Sequence, residues 1–582
     1  MKRFSFSIFA LLLALTFTTA CTPDNPEGPN NGGNTENQGG YKPTGPITVK
    51  GIVYGGGTET LAGVVISDGL LCVKTDKNGY YELDSDLSRT KFITASIPSG
   101  YTAPVNENGL PIFYHEVTKS EKTANSVVHN FEFYPIPSNP DRYTLIVGAD
   151  PQPRALSAGL DNVAYHSLDM CEDLYRDMRE TAGKISGRNV YGLMLGDIVH
   201  ENMSLYANYV EGIKNIGFPM FNVIGNHDND SKAANDSEGR RKFEEQLGPT
   251  YYSFNIGKQH YVVLDNLIMK KNASGDLKDY DQGLTDEIWQ WLQNDLQYVD
   301  RSTTLMVAAH SPMFMLENMS ERSASTQNHR TDYAVLLSKY AKVHAWAGHT
   351  HSTFNYNYPE AHTLKNIEVH TLARSTGELW TNEYMANGTP RGYTVVEVDG
   401  DNISWKFKPT IYQTTSASNK AIGFTGKTSP QPELKYRDWN YNENGVAKMI
   451  NGGATLSDSY QMKVYKPGEY HKTYAEMIDG KAADSKYIYV DIFLWDDKWQ
   501  TPKYNDASMS RVGYKDAYCL ANYEVQSFYS EYGYSLKNSS DYAPKDDDIH
   551  TIFRAYENRS SGSGTVTVVD RFGNKYSSKI SW

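Results

Sequence analysis

A chain of 582 residues is too long for one hydrophobic core, so about three domains are expected. A charged fraction of 21% and a hydrophobic fraction of 39% fit a globular protein, and the net charge of −13 argues against a nucleic-acid polymer as partner, which would meet a basic face. Tyr outnumbers Phe by 43 to 20, a bias toward amphipathic aromatics on strand faces and in clefts.

The first residues read as a targeting segment. Lys2 and Arg3 precede the apolar run Ile8–Phe17, and Thr18-Thr19-Ala20 leads into Cys21. The run is too short to span a bilayer and has the layout of a signal peptide over residues 1–20. A Cys at the cleavage point resembles the lipobox of bacterial lipoproteins, which implies a mature chain anchored in the cell envelope by a lipid on Cys21, periplasmic or cell-surface. Residues 21–46 are rich in Asn, Gly and Pro and read as a flexible tether. Cys72, Cys171 and Cys519 are too scattered for a disulfide framework and read as buried thiols.

Residues 47–140 show short strand-like runs separated by turn signals such as Ser67-Asp68-Gly69 and Asp76-Lys77-Asn78-Gly79, and predict an N-terminal β-sandwich. The loop at Asp76 lacks the full ligand set of a calcium loop and reads as a hairpin turn.

Residues 142–410 alternate apolar runs with helical spacing, the pattern of an α/β domain. Helices are expected over 163–181, 204–216, 240–247, 285–299 and 331–340. The later strands, 252–256, 259–265, 367–373, 393–398 and 403–407, have antiparallel spacing, so two packed mixed sheets flanked by helices are expected. Five apolar runs end in polar turns: Gly148-Ala149-Asp150-Pro151-Gln152, Gly196-Asp197-Ile198-Val199-His200, Gly225-Asn226-His227-Asp228, Ala309-His310-Ser311-Pro312 and Gly348-His349-Thr350-His351. Strand ends are where open α/β sheets place their chemistry. Residues 411–430 read as a linker and residues 431–582 as a C-terminal β-sandwich, with 487–495 and 564–570 its clearest strands.

Each polar turn alone has a plain explanation, a tight turn or a surface loop. Together Asp150, Asp197, Asn226, His310, His349 and His351 supply only O and N donors. That set suits two divalent metal ions of the Mn, Fe, Zn or Mg kind. Two ions roughly 3.5–4 Å apart need a shared anion, and Asp197 in the middle of the set is the natural bridge.

The ordered motifs resemble the calcineurin-like metallophosphoesterases, and the flanks resemble the accessory β domains of a bacterial exported branch. By that resemblance Asp150 and His351 bind the first ion, Asp197 bridges, and Asn226, His310 and His349 bind the second. By the same resemblance His227 would sit beside the scissile phosphate as leaving-group acid or charge stabiliser. The family's first motif carries a His where this chain has Gln152, which puts a weaker ligand on the first ion. The second motif ends in His200 instead of an acid or amide; His200, Asp228, Arg374 and Trp380 are expected beside the ligands or the phosphate. Arg374, Trp380 and Glu383 follow the last motif, and Arg374 and Trp380 are candidates to pair with a phosphate and to stack on a sugar or base. The implied reaction is hydrolysis of a phosphomonoester or phosphodiester by in-line attack of a hydroxide held between the cations. Its substrate would be a phosphorylated small molecule, a glycan or a lipid head group. The alternative is a surface glycan-binding protein on a catalytically weak metallophosphoesterase scaffold, and Gln152 is the residue that favours it.

Overall fold

A computed structural model describes residues 42–153, 161–312, 316–317, 320–321, 327–377, 389–410, 439–441, 447–449, 460–467, 486–512 and 551–582. The signal segment, Cys21, Trp380, Glu383, Cys519 and the 411–430 linker lie outside the described residues. The chain divides into residues 1–36 and residues 37–582, and every described residue belongs to the second unit.

Two mixed sheets form the centre of that unit. The first is built from β1 (Arg142–Gly148), β2 (Asn189–Leu195), β3 (Met220–Val223), β10 (Gly392–Asp399) and β11 (Asn402–Pro409), in the order β3-β2-β1-β10-β11. Strands β1, β2 and β3 run parallel, while β10 and β11 are antiparallel additions. The second contains β4 (Tyr252–Ile256), β5 (Gln259–Leu264), β6 (Thr304–Ala309), β7 (Lys342–Ala347), β8 (Phe354–Asn357) and β9 (Ile367–Thr371), in the order β4-β5-β6-β7-β9-β8. The expectation of antiparallel pairing for the later strands is corrected at β5 and β9, which pair parallel with β6 and β7. Both strands are buried on both faces, as parallel strands are, although β9 reads Ile-Glu-Val-His-Thr, whose alternating polar residues imitate an antiparallel strand.

The period-2 alternation of side chains distributes the core. Leu145, Val147, Leu193, Phe221 and Val396 of the first sheet pack against Tyr261, Val263, Met306, Ala308 and Trp346 of the second. Ile146, Met194, Met220 and Val395 face the other way, against helices α1 (Asp161–Lys184) and α2 (Tyr206–Ile213) through Leu174, Met178, Tyr209 and Ile213. On the outer face of the second sheet, Val262, Leu305, Val307, Val343 and Val369 meet α3 (Asp286–Leu296) and α4 (Arg330–Leu337). Thr285 caps α3 by accepting the Ile288 amide at 3.3 Å, with Asp286 and Glu287 in the positive first turn. The result is a helix–sheet–sheet–helix sandwich that leaves the carboxyl ends of the parallel strands free to carry the polar turns.

Ahead of this core, residues 47–135 form an N-terminal β domain with strands Val49–Gly55, Tyr80–Leu83, Tyr101–Thr102, Val127–Val128 and Phe131–Pro135 in one sheet and Val65–Ser67, Cys72–Lys74, Phe92–Ala95 and Tyr114–Glu116 in another. It also holds a helix, Lys119–Ala124, closed by a Thr118/Glu121 capping box. The Asp76 carboxylate accepts the Asn78 and Tyr80 amides at 2.8 and 2.9 Å, so that loop is a turn and not a cation site. Cys72 and Cys171 are free and buried. Two further antiparallel sheets follow the core. Met462–Tyr465, Tyr487–Ile492, Ile552–Tyr556 and Ser510–Arg511 make one; Ala507–Ser508, Lys503–Tyr504, Ser563–Val569 and Lys575–Ser581 make the other. They attach through Arg571, whose guanidinium grips Glu368 of β9 at 2.9 and 3.0 Å.

Candidate metal centre

Five turns at the ends of β1, β2, β3, β6 and β7 meet at one edge of the sandwich. Asp150 and Asp197 each follow their strand by two residues, Asn226 by three, His310 by one and His349 by two. The turns close on each other tightly enough to exclude a β-carbon at three positions. One on Gly225 would stand 2.2 Å from Asp197 Oδ1, one on Gly348 2.3 Å from Asp150 Oδ2, and one on Gly196 2.5 Å from His310 Nδ1. Gly225 has an ordinary extended φ of −115°, so close approach alone requires glycine there.

The backbone is strained where the donors sit. Asp150, Gln152, Asp197, Glu201, His349 and His351 all have positive φ, between 39° and 71°. Such conformations cost about 1–3 kcal/mol each in non-glycine residues and persist only when surrounded by fixed contacts. Those contacts are present. The Asp150 and Gln152 amides donate to the Gly196 and Asp197 carbonyls at 3.2 and 3.0 Å. Asp228 is wholly buried; its carboxylate accepts the Gly225, Ile198 and Val199 amides at 2.8, 3.1 and 3.1 Å, tying the β2 and β3 turns together. Arg374 is also wholly buried and donates to the Asp150 and Gln152 carbonyls, both at 3.1 Å. Of the two roles expected for Arg374, support of the ligands and contact with substrate, its guanidinium takes the first and holds the first turn from behind.

The donors fall into two adjoining groups. His349 Nδ1 lies 3.1 Å from both Asn226 Oδ1 and His310 Nε2, and His310 Nε2 is 3.2 Å from Asn226 Oδ1. His351 Nε2 stands 3.7 Å from Asp150 Oδ1. Asp197 lies between the groups, its Oδ2 3.3 Å from His310 Nε2, and the Gln152 amide nitrogen donates to the same oxygen. His310 Nδ1 is 2.8 Å from the Leu195 carbonyl, which leaves Nε2 facing inward. Asp150 and Asp197 are thus two fully buried carboxylates surrounded mainly by imidazoles and amides. Burial opposes charge on His310, but Asp197 and Asp150 outweigh it and push its pKa up to about 10. Two buried carboxylates that here rely on a protonated imidazole for compensation can be served equally by cations. The residues fit two divalent ions: the donors are hard or borderline, and the turns leave no room for larger side chains.

Beside the donors, the His227 amide donates to Asp197 Oδ1 at 2.9 Å and its ring faces Glu201 at 3.5 Å. Burial lowers the His227 pKa, yet Asp197 and Glu201 raise it above the ordinary value overall. His200 packs at 4.1 Å between ring centres, and burial with His227 nearby pulls its pKa down to about 3, so it is neutral. Four neighbours of the donors were missed from sequence: Glu201, Lys278, Tyr280 and Gln282. Glu201 ion-pairs with Lys278, the Tyr280 hydroxyl lies 2.9 Å from His349 Nε2, and Gln282 donates to Ser311 Oγ at 2.6 Å. Lys278, Tyr280 and Gln282 alternate along the strand Leu277–Gln282, which pairs with Leu267–Lys271. That alternation was the available signal, but nothing local placed it near the motifs.

This is the mixed α/β fold of the metallophosphoesterases. Residues 144–353 match the family described as calcineurin-like phosphoesterase, and residues 47–135 match the family described as the N terminal of calcineurin-like phosphoesterase. Residues 144–353 are thus a calcineurin-like phosphoesterase domain, preceded by the N-terminal domain of that family. The chain is 25% identical over 287 residues to purple acid phosphatase 15 of Arabidopsis thaliana, covering 44% of this chain and 48% of that one. Against probable purple acid phosphatase 20 of the same plant it is 30% identical over 117 residues, covering 19% and 25%. The chain therefore spans half or less of the length of these relatives. Among solved structures, a purple acid phosphatase from yellow lupin (Lupinus luteus) seeds aligns with 60% of this chain and 67% of its own at 14% identity and a TM-score of 0.33.

Proposed function

We propose that the protein hydrolyses phosphoesters of small extracytoplasmic molecules with two divalent cations. Asp150, Gln152 and His351 would hold the first, Asn226, His310 and His349 the second, and Asp197 both. The observation that carries the reading is the meeting of five strand-end turns around one buried carboxylate, Asp197. Cations held there would neutralise phosphate oxygens and lower the pKa of water for in-line attack. The chain's own residues supply the rest. His227, kept basic by Asp197 and Glu201, is placed to protonate the leaving oxygen. Asp228 and Arg374 fix the turns from behind. The names of the curated relatives favour monoesters. The experiment offers p-nitrophenyl phosphate and bis-p-nitrophenyl phosphate to the full chain loaded with Mn²⁺. Turnover of at least one, abolished in Asp197→Asn without loss of fold, is expected; no turnover of either with metal bound would refute the reading.

One observation favours the weaker alternative. The Gln152 amide nitrogen, not its oxygen, faces the bridging carboxylate, which suits a site that binds its first cation weakly. A metal content of one ion or none per chain, with no turnover, would favour glycan binding on this scaffold. The N-terminal segment supports an envelope lipoprotein; Cys21→Ser should then move the protein from the membrane to the soluble fraction, and unchanged membrane association would exclude it.

A further inference from the structure

The strand Leu277–Gln282 runs beside the turn Asn226–Asp228 and puts alternate side chains onto three different parts of the centre. Lys278 reaches Glu201, the neighbour of His227; Gln282 reaches Ser311, the neighbour of His310; Tyr280, between them, reaches His349 itself. We propose that the Tyr280 hydroxyl is a catalytic hydrogen-bond donor to the substrate phosphate, a role that rests on the phosphoesterase reading above.

The inference follows from which nitrogen of His349 faces inward. Nδ1 points at Asn226 Oδ1 and His310 Nε2, both 3.1 Å away, so Nδ1 is the nitrogen that can give a lone pair to a cation. A neutral imidazole carries one proton, which must then lie on Nε2. Nε2 is 2.9 Å from the Tyr280 oxygen, so with a cation on Nδ1 His349 would donate and Tyr280 would accept. A phenol that accepts still has its own O–H to give. The Tyr280 ring stands edge-on to His349, at 78° and 5.5 Å between centres, and is only partly buried. That proton is therefore held at the mouth of the centre by a residue whose position His349 fixes. A phosphoester bound across the two cations has an oxygen that neither neutralises, and a neutral O–H beside them suits it.

Tyr280→Phe removes the hydroxyl and keeps the ring packed on His349. The full-length wild type and variant are loaded with Mn²⁺ and compared in bound Mn²⁺ per chain, in calorimetric affinity for inorganic phosphate, and in kcat and KM for p-nitrophenyl phosphate. The expected result is unchanged Mn²⁺, phosphate binding weakened roughly 10-fold, and kcat/KM lowered roughly 10–100-fold, chiefly through kcat. Phosphate affinity and kcat/KM within about 2-fold of wild type at full Mn²⁺ occupancy would overturn the proposal. So would a loss of Mn²⁺ whose repair by excess metal restores full activity, because Tyr280 would then only orient His349. If the wild type turns over neither ester, the phosphoesterase reading fails. The phosphate arm still decides Tyr280, and a wild type that binds no phosphate counts against it.

Discussion

Gly225→Ala places a methyl group 2.2 Å from Asp197 Oδ1 and 2.3 Å from the Asp197 amide nitrogen. Ordinary van der Waals contact begins near 3.4 Å, so one of the two turns must retreat by about 1 Å. Neither can do so cheaply. Asp197 is held at positive φ, and the Gly225 amide is already bonded to buried Asp228. Overpacking of this kind costs about 1–3 kcal/mol of stability. A 1 Å displacement of a reacting group lowers turnover by about 10²-fold. Because the φ of Gly225 suits any residue, backbone strain does not contribute and the clash stands alone. The assay is a thermal melt, Mn²⁺ content and p-nitrophenyl phosphate turnover. Gly183→Ala is the matched control: it lies exposed near the end of α1 with nothing within 4 Å of the added carbon, and should hold or raise stability by about 0.4–1 kcal/mol. If Gly225→Ala binds Mn²⁺ and turns over like wild type, the two turns are not apposed as described.

Arg374→Leu removes the donors to the Asp150 and Gln152 carbonyls and should cost about 3 kcal/mol or more, seen as a lower Tm and weaker Mn²⁺ binding; an unchanged Mn²⁺ titration would show that the first turn holds its shape unaided. Asp491, wholly buried and bonded by the Thr389 and Thr551 hydroxyls, is pushed by burial up to about 7 from an ordinary 3.8. The folded pKa exceeds the unfolded one, so this group favours the native state as pH falls from 8 toward 4, by up to roughly 1.4 kcal/mol per unit, and that gain is lost as pH rises through 7. Asp491→Asn should flatten the pH dependence of urea stability over that range and stabilise at pH 8; an unaltered slope would refute the assignment. Cations must displace a proton that Asp197 and Asp150 hold strongly on His310, so Mn²⁺ affinity should fall as pH drops from 9 to 6; affinity independent of pH would contradict the ligand role of His310.

The strand ends were legible because the signal is local: an apolar run, then glycine, then a hard donor. The central place of Asp197 among the donors could be read from its order in the chain, and the helices from their 3.6-residue stripes. The partners of Arg374 were not legible, because the carbonyls it serves lie more than 200 residues earlier in the chain. Tyr280 and Glu201 were invisible for the same reason. Their partners, His349 and Lys278, are brought to them by the closing of two sheets and a hairpin, and spacing records none of that. Strand direction at β9 was misleading because its alternating Glu368 and His370, which suggest a solvent-facing side, are buried.

The most direct test is elemental analysis of Mn²⁺-reconstituted wild type and Asp197→Asn, with circular dichroism to confirm that both are folded. Two ions per wild-type chain, falling to one or none in the variant, is the predicted result. A wild type that holds no ion, or a variant that holds as many as the wild type, would contradict a cation pair built around Asp197.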